Sequence, residues 1–244
     1  MIDGGRNTPE HEWLGCPRIR HLPEMDWEPR AGHVVIVAPH PDDETLAVGG
    51  TLARLAQNGW RVTVVAVTDG GASHPRSPTV TPAELCARRA GERLTALARL
   101  GLAGARVIRL DIADGAVAAC STLATSIAEH LSEADLCLSP WRRDGHPDHD
   151  ATGNAAAAAA AARRARLAEY PVWAWSWAVP ESEDLPWARA RRISLSADVM
   201  RAKADAIRAH ATQIRNLSDR PGDEAILNEA MLAHFRRDFE VVFV

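Results

Sequence analysis

From residue 33 onward, short apolar runs alternate with longer stretches of helical period. His33-Val34-Val35-Ile36-Val37-Ala38 reads as a strand, and the stretch from Thr45 to Asn58-Gly59 as a helix with a glycine stop. A second strand covers 61–68, a helix runs over 82–100 behind a Thr81 cap, and a third strand covers 106–110. A helix over 120–133 leads to a fourth strand, 135–139. The alanine tract 155–162 reads as a tightly packed helix, since alanine is the strongest helix former. Tyr170-Pro171-Val172-Trp173-Ala174-Trp175-Ser176-Trp177 alternates with period two and predicts a strand with its tryptophans on one face. Helices over 197–214 and 222–235 and a strand over 239–244 complete the pattern. Apolar strands alternating with helices predict an α/β fold, a mostly parallel sheet flanked by helices, in a single domain over 31–244. Residues 1–30 have no clear period and read as an N-terminal arm that Trp13 and Trp27 anchor.

Composition narrows the class without deciding it. With 244 residues, 46% hydrophobic and 25% charged, the chain can bury a substantial core. A formal net charge of −4 argues against broad attraction to nucleic acid or an anionic membrane. No apolar run approaches a membrane span, and Met1–Arg6 lacks the apolar core of a signal peptide, so a cytoplasmic enzyme is expected. Cys16, Cys86, Cys120 and Cys137 form no CxxC pair and point to neither a disulfide scaffold nor a thiolate zinc site. Self-association leaves no mark in the sequence.

Two clusters carry the chemistry. Pro39-His40-Pro41-Asp42-Asp43-Glu44 puts an imidazole and three carboxylates directly after the first strand. Such groups repel and desolvate one another unless a cation or substrate offsets the cost. His146-Pro147-Asp148-His149 follows the fourth strand. In a parallel sheet both loops leave the same carboxyl edge, so the clusters can form one site. His40, Asp43 and His149 then supply three ligands and leave coordination open for water, as a catalytic zinc site requires. Asp42 is placed to accept a proton, His146 to polarise a carbonyl or protonate a leaving amine, and Asp148 to fix the His146 tautomer. This set describes hydrolysis of an amide or ester.

Ala38-Pro39-His40-Pro41-Asp42-Asp43-Glu44 with Gly49-Gly50 resembles the signature of the PIG-L/LmbE-like zinc-dependent N-acetylglucosaminyl deacetylases, and His146-Pro147-Asp148-His149 matches their second motif. The likeness continues through Thr68-Asp69-Gly70, Arg89-Ala90-Gly91-Glu92, Leu100-Gly101, Asp114-Gly115 and Lys203, His210 and Gln213. One departure is Pro39, where the family more often has alanine. The resemblance implies a Rossmann-like doubly wound fold and one Zn2+ per chain. It also implies removal of an N-acyl group, usually acetyl, from a small amino-sugar conjugate. By motif position His40, Asp43 and His149 are the metal ligands, Asp42 the general base, and His146 the electrophile or acid, oriented by Asp148. Arg89 and Asp114 match substrate-contacting positions, and Glu44 supports the metal loop or caps the helix.

Two other readings compete. A metal-dependent esterase or phosphoesterase would use Arg142 and Arg143 near the second cluster as a clamp. A nucleotide-binding module would need a glycine-rich turn where the chain has three carboxylates, which would repel a pyrophosphate.

Overall fold

A seven-stranded sheet runs through the middle of the computed structural model, which describes residues 7–25, 32–131 and 136–244. Its strands are β1 (His33–Ala38), β2 (Arg61–Ala66), β3 (Arg106–Arg109), β4 (Leu136–Pro140), β5 (Arg166–Tyr170), β6 (Ala190–Ser194) and β7 (Phe239–Phe243). They lie in the order β3-β2-β1-β4-β5-β7-β6. The first five are parallel, and β7 is antiparallel to both β5 and β6. The helices are α1 (Glu10–Gly15), α2 (Pro17–Arg20), α3 (Asp43–Gln57), α4 (Pro82–Arg99), α5 (Leu123–His130) and α6 (Pro147–Arg163), followed by α7 (Ala174–Trp177), α8 (Ala197–Ile207), α9 (Ala211–Ile214) and α10 (Glu229–Ala233).

The continuous apolar strands have a direct cause: β1 is buried on both faces. Val34 and Ile36 join a core with Leu52 of α3, Leu97 of α4 and Val199 of α8. Val35 and Val37 point the other way, onto Ile127 of α5 and Ala156, Ala159 and Ala160 of α6. The alanine tract is therefore a packed helix. Its small side chains, and Gly153 before them, let α6 lie close to the sheet. A Cβ on Gly153 would stand 2.6 Å from the Pro140 carbonyl oxygen.

The chain proceeds from β1 outward to β2 and β3, then returns to place β4 on the other side of β1. That reversal opens a crevice beyond the carboxyl ends of β1 and β4, where ligands of such sheets bind. Both acid–histidine clusters lie there, on the loops after β1 and β4 and the first turns of the helices that follow, α3 and α6.

Tertiary contacts override three local patterns. The stretch 170–177 is not a strand throughout. β5 stops at Tyr170, Pro171 has no N–H to continue a ladder, and Ala174–Trp177 turns into α7. Trp175 is buried, Trp173 half-buried and Trp177 36% exposed, so the three do not share a face. The helix expected over 197–214 is divided into α8 and α9, and that over 222–235 shrinks to α10. Asp223 ties the preceding loop into turns, accepting the hydroxyls of Ser77, Thr79 and Ser218. Gly222 (φ 98°) sits under the Arg76 carbonyl, where no side chain fits.

Residues 7–25 carry α1 and α2, and Trp13 is fully buried, its indole N–H donating to the Trp175 carbonyl oxygen at 2.9 Å. Trp27, Asp135 and the last two positions of the helix expected over 120–133 lie outside the described residues. Among the described residues no helix is long and apolar enough to cross a membrane.

Candidate metal centre and active site

Three donor atoms meet at one point, from His40 in the loop after β1 and from Asp43 and His149 in the first turns of α3 and α6. His40 Nδ1 and His149 Nε2 are 3.2 Å apart, and Asp43 Oδ2 lies 3.3 Å from each. All three residues are buried. Tetrahedral zinc with bonds of ~2.0–2.1 Å requires donor–donor edges of about 3.3 Å, so the trio fits such an ion. Without a cation the site binds protons instead. Burial lowers the pKa of His149, but Asp43 and Asp144 outweigh it and raise it to about 9. Burial also opposes charge on His40, yet Asp114, Asp148 and Asp43 hold its pKa well above the ordinary value. His40, His146 and Asp148 form a second group within reach of one cation, but it shares His40 with the first.

The outer nitrogens of both histidines are held by carboxylates, which fixes ring orientation and leaves the inner nitrogens free to ligate. His40 Nε2 lies 3.3 Å from Asp114 Oδ1 and 3.5 Å from Asp148 Oδ2. Asp114 also accepts the Ala72 amide, and Asp148 those of Gly115 and Val117. His149 Nδ1 donates to Asp144 Oδ2 at 2.8 Å.

Asp144 has no counterpart among the residues singled out from sequence. Its buried carboxylate also accepts the amides of Val172, Trp173 and Ala174 at 2.8, 2.9 and 3.0 Å, which closes the turn leading into α7. Asp144→Asn should cut metal affinity by about 10–100-fold, the usual effect of removing such a support. Competition with a fluorescent chelator would measure this, and an unchanged affinity would show that His149 needs no carboxylate behind it.

The opposite side of the centre is built by α4, whose capping box of Thr81 and Glu84 sets its start. Arg89 and Arg93, four residues apart on its buried face, reach two of the three carboxylates after β1. Arg89 Nη2 donates to Asp42 Oδ1 at 3.0 Å and Nη1 to the Gly70 carbonyl oxygen at 2.9 Å. Arg93 Nε donates to Glu44 Oε1 at 2.9 Å. Burial raises the pKa of Asp42 and outweighs the opposing charge of Arg89. Arg89 lines the cavity but spends its guanidinium on Asp42 and Gly70. Asp114 lines it too, while bracing His40.

His146 sits at the start of α6, and its Nδ1 accepts the Asp148 backbone amide at 3.2 Å. The proton of the neutral ring is thereby placed on Nε2. Burial and the nearby His149 and His40 push its pKa down to about 4. Asp148 thus meets His146 through its main chain, while its carboxylate turns to the loop at Gly115 and to His40. Arg142 is bound by Glu169, at 2.8 Å from Nε to Oε1 and 3.1 Å from Nη2 to Oε2. Neither it nor Arg143 lines the cavity.

A family model described as PIG-L, GlcNAc-PI de-N-acetylase, matches residues 35–160, the span that holds both clusters. The chain belongs to the PIG-L family. The family model is described as a de-N-acetylase and the curated relatives it resembles are named deacetylases, so the protein is an enzyme of the class that hydrolyses amide C–N bonds. The chain is 28% identical to the 1D-myo-inositol 2-acetamido-2-deoxy-alpha-D-glucopyranoside deacetylase of Rhodococcus erythropolis, over 75% of this chain and 82% of that one. It is 34% identical to the probable N-acetyl-alpha-D-glucosaminyl L-malate deacetylase 2 of Bacillus anthracis, over 51% of this chain and 58% of that one. Among solved structures, the A40926 pseudoaglycone deacetylase superposes with a TM-score of 0.62 at 25% identity, covering 88% of this chain and 96% of that one.

Proposed function

We propose that the protein is a zinc-dependent N-deacetylase that removes the acetyl group from a small amino-sugar conjugate. The observation that carries this is the triangle of His40 Nδ1, Asp43 Oδ2 and His149 Nε2, with edges of 3.2–3.3 Å, beside a carboxylate that is not part of it. A divalent cation held there, one per chain, supplies Lewis acidity that lowers the pKa of water and polarises the amide carbonyl. Asp42 accepts the proton of the attacking water through the oxygen that Arg89 does not hold, and Arg89 keeps the carboxylate from rotating. His146 donates its Nε2–H to the carbonyl oxygen as charge builds there, a role its neutral tautomer suits. Asp114, Asp144 and Asp148 orient the ligand histidines. The amino-sugar part of the reading is supported by the relatives, whose names specify N-acetylated glucosamine conjugates.

The test is metal removal and return. Exhaustive treatment with a chelator should abolish acetate release from N-acetylglucosamine conjugates, and one zinc per chain should restore it. His149→Ala should lower bound zinc by elemental analysis. Because His40 and His149 bind protons in the metal-free protein, zinc uptake should release protons, which calorimetry in two buffers of different ionisation enthalpy detects. Full activity in protein containing no metal would reject the reading.

A further inference from the structure

The cavity at the metal centre has a volume of about 670 Å³, enough for a drug-sized ligand, and its two sides differ sharply. One carries the polar groups described above. The other is formed by Val172, Trp173, Trp177, Ile226, Leu227 and Met231. Trp177 and Ile226 are 36% and 38% exposed, so large apolar side chains face this opening rather than the core.

This wall carries no charge, and two of the polar residues set among it are engaged with Met231: the Ser176 hydroxyl donates to its sulfur at 2.8 Å, and Asn228 Oδ1 accepts its amide at 2.9 Å. The indole N–H of Trp177 is spent on the Asp144 carbonyl oxygen at 2.7 Å, which leaves only ring surface for a ligand. Its ring stacks on Trp141 with planes 12° apart, and a Cβ on Gly145 would lie 2.6 Å from its nitrogen. Trp173 lies against His146, with ring centroids 6.0 Å apart. Ile226 and Leu227 follow the loop fastened by Asp223, and the Leu227 amide donates to the Gln213 carbonyl oxygen at 2.9 Å. The wall is thus assembled before any ligand arrives, which favours affinity. Among the described lining residues Arg89 is the only arginine or lysine, and it is bound to Asp42. Away from the metal, a carboxylate-bearing conjugate would find aspartates and no free cationic side chain. A polyol would meet mostly apolar side chains here and leave most of its hydroxyls unpaired, at a cost.

We infer that this wall is a subsite for the group attached to the amino sugar, and that it takes a neutral aromatic or aliphatic aglycone in preference to a polyol or an acid. The inference rests on the deacetylase reading and deepens it. It separates this chain from relatives whose names specify inositol and malate conjugates.

Zinc-loaded enzyme should be given phenyl and octyl N-acetylglucosaminides beside the inositol and malate conjugates. The expected result is a kcat/KM higher by about tenfold or more for the apolar glycosides, the scale on which an apolar pocket discriminates. Ile226→Ser and Trp177→Leu should each narrow that ratio several-fold. Calorimetric binding of the same ligands to zinc-loaded Asp42→Asn should give the same rank order without turnover. Equal or better rates and binding for the inositol or malate conjugate would overturn the inference, as would a ratio untouched in both variants. So would a gain that follows longer N-acyl chains rather than the aglycone. Acetate release with the wrong rank order defeats the subsite alone. The right binding order with no acetate released from any substrate defeats the deacetylase reading alone.

Discussion

Asp42→Asn should lower kcat by about 10²–10⁴-fold, the range expected when a general base is removed, while leaving zinc content at the parental level. Asparagine keeps an oxygen for Arg89, which now holds Asp42 Oδ1 at 3.0 Å, so the loop after β1 retains its anchor. It also keeps the main-chain link to Asp43, whose Oδ2 accepts the His40 amide at 2.9 Å. The neutral amide, however, cannot take a proton from water. Steady-state rates of acetate release with elemental analysis of the same sample separate the two effects. A rate within a few-fold of the parent would mean that another group is the base. Loss of metal in step with loss of rate would mean that Asp42 serves the cation instead.

The largest effect on stability should come from Glu240, far from the chemistry. α3 is not one regular helix: Val48 leaves helical geometry (φ −136°, ψ 21°), and a second helical segment starts after it. The orphan amides of that new start, at Gly50 and Thr51, donate to Glu240 at 2.8 and 2.7 Å, and the Thr51 hydroxyl donates at 2.6 Å. The same carboxylate pairs with Lys203 Nζ at 2.6 Å, and both side chains are buried. Glu240→Ala would strand a buried ammonium and two helix-start amides at once. Breaking one partner of a buried pair costs roughly 3–5 kcal/mol, and urea denaturation should show a loss of that size. A loss below about 1 kcal/mol would mean that water reaches Lys203 and replaces the carboxylate.

Much of this architecture could be read from the chain because its signals are local. β1 announces itself by six buried residues and ends at the acidic cluster, and α4 by Thr81 and Glu84. The alanine tract obeys its propensity because a sheet lies close beneath it. The convergence of His40, Asp43 and His149 followed from topology, since loops after neighbouring parallel strands share an edge. What escaped notice depends on distant partners. Asp144 looks like a turn aspartate until the amides at 172–174 fold back onto it, and the same contact converts a period-two tryptophan run into a helical turn. Glu240 reads as a polar residue in an apolar strand, with no local hint that its partners are Gly50, Thr51 and Lys203. By the family resemblance, Arg89 and Asp114 are expected to contact substrate. Their present contacts, to Asp42 and to His40, depend on how α4 and the loop before α5 pack.

The order of the strands has one more consequence. The three donor residues follow β1 and β4, in the loop after β1 and the first turns of α3 and α6, within the stretch matched by the family model, whereas the apolar wall comes from residues 172–231. Reaction and selectivity are thus encoded by different portions of the gene. Drift in the later portion can retarget the catalyst to a new conjugate while the hydrolytic apparatus stays intact. Grafting that portion between relatives is a route to new preferences that leaves the chemistry untouched.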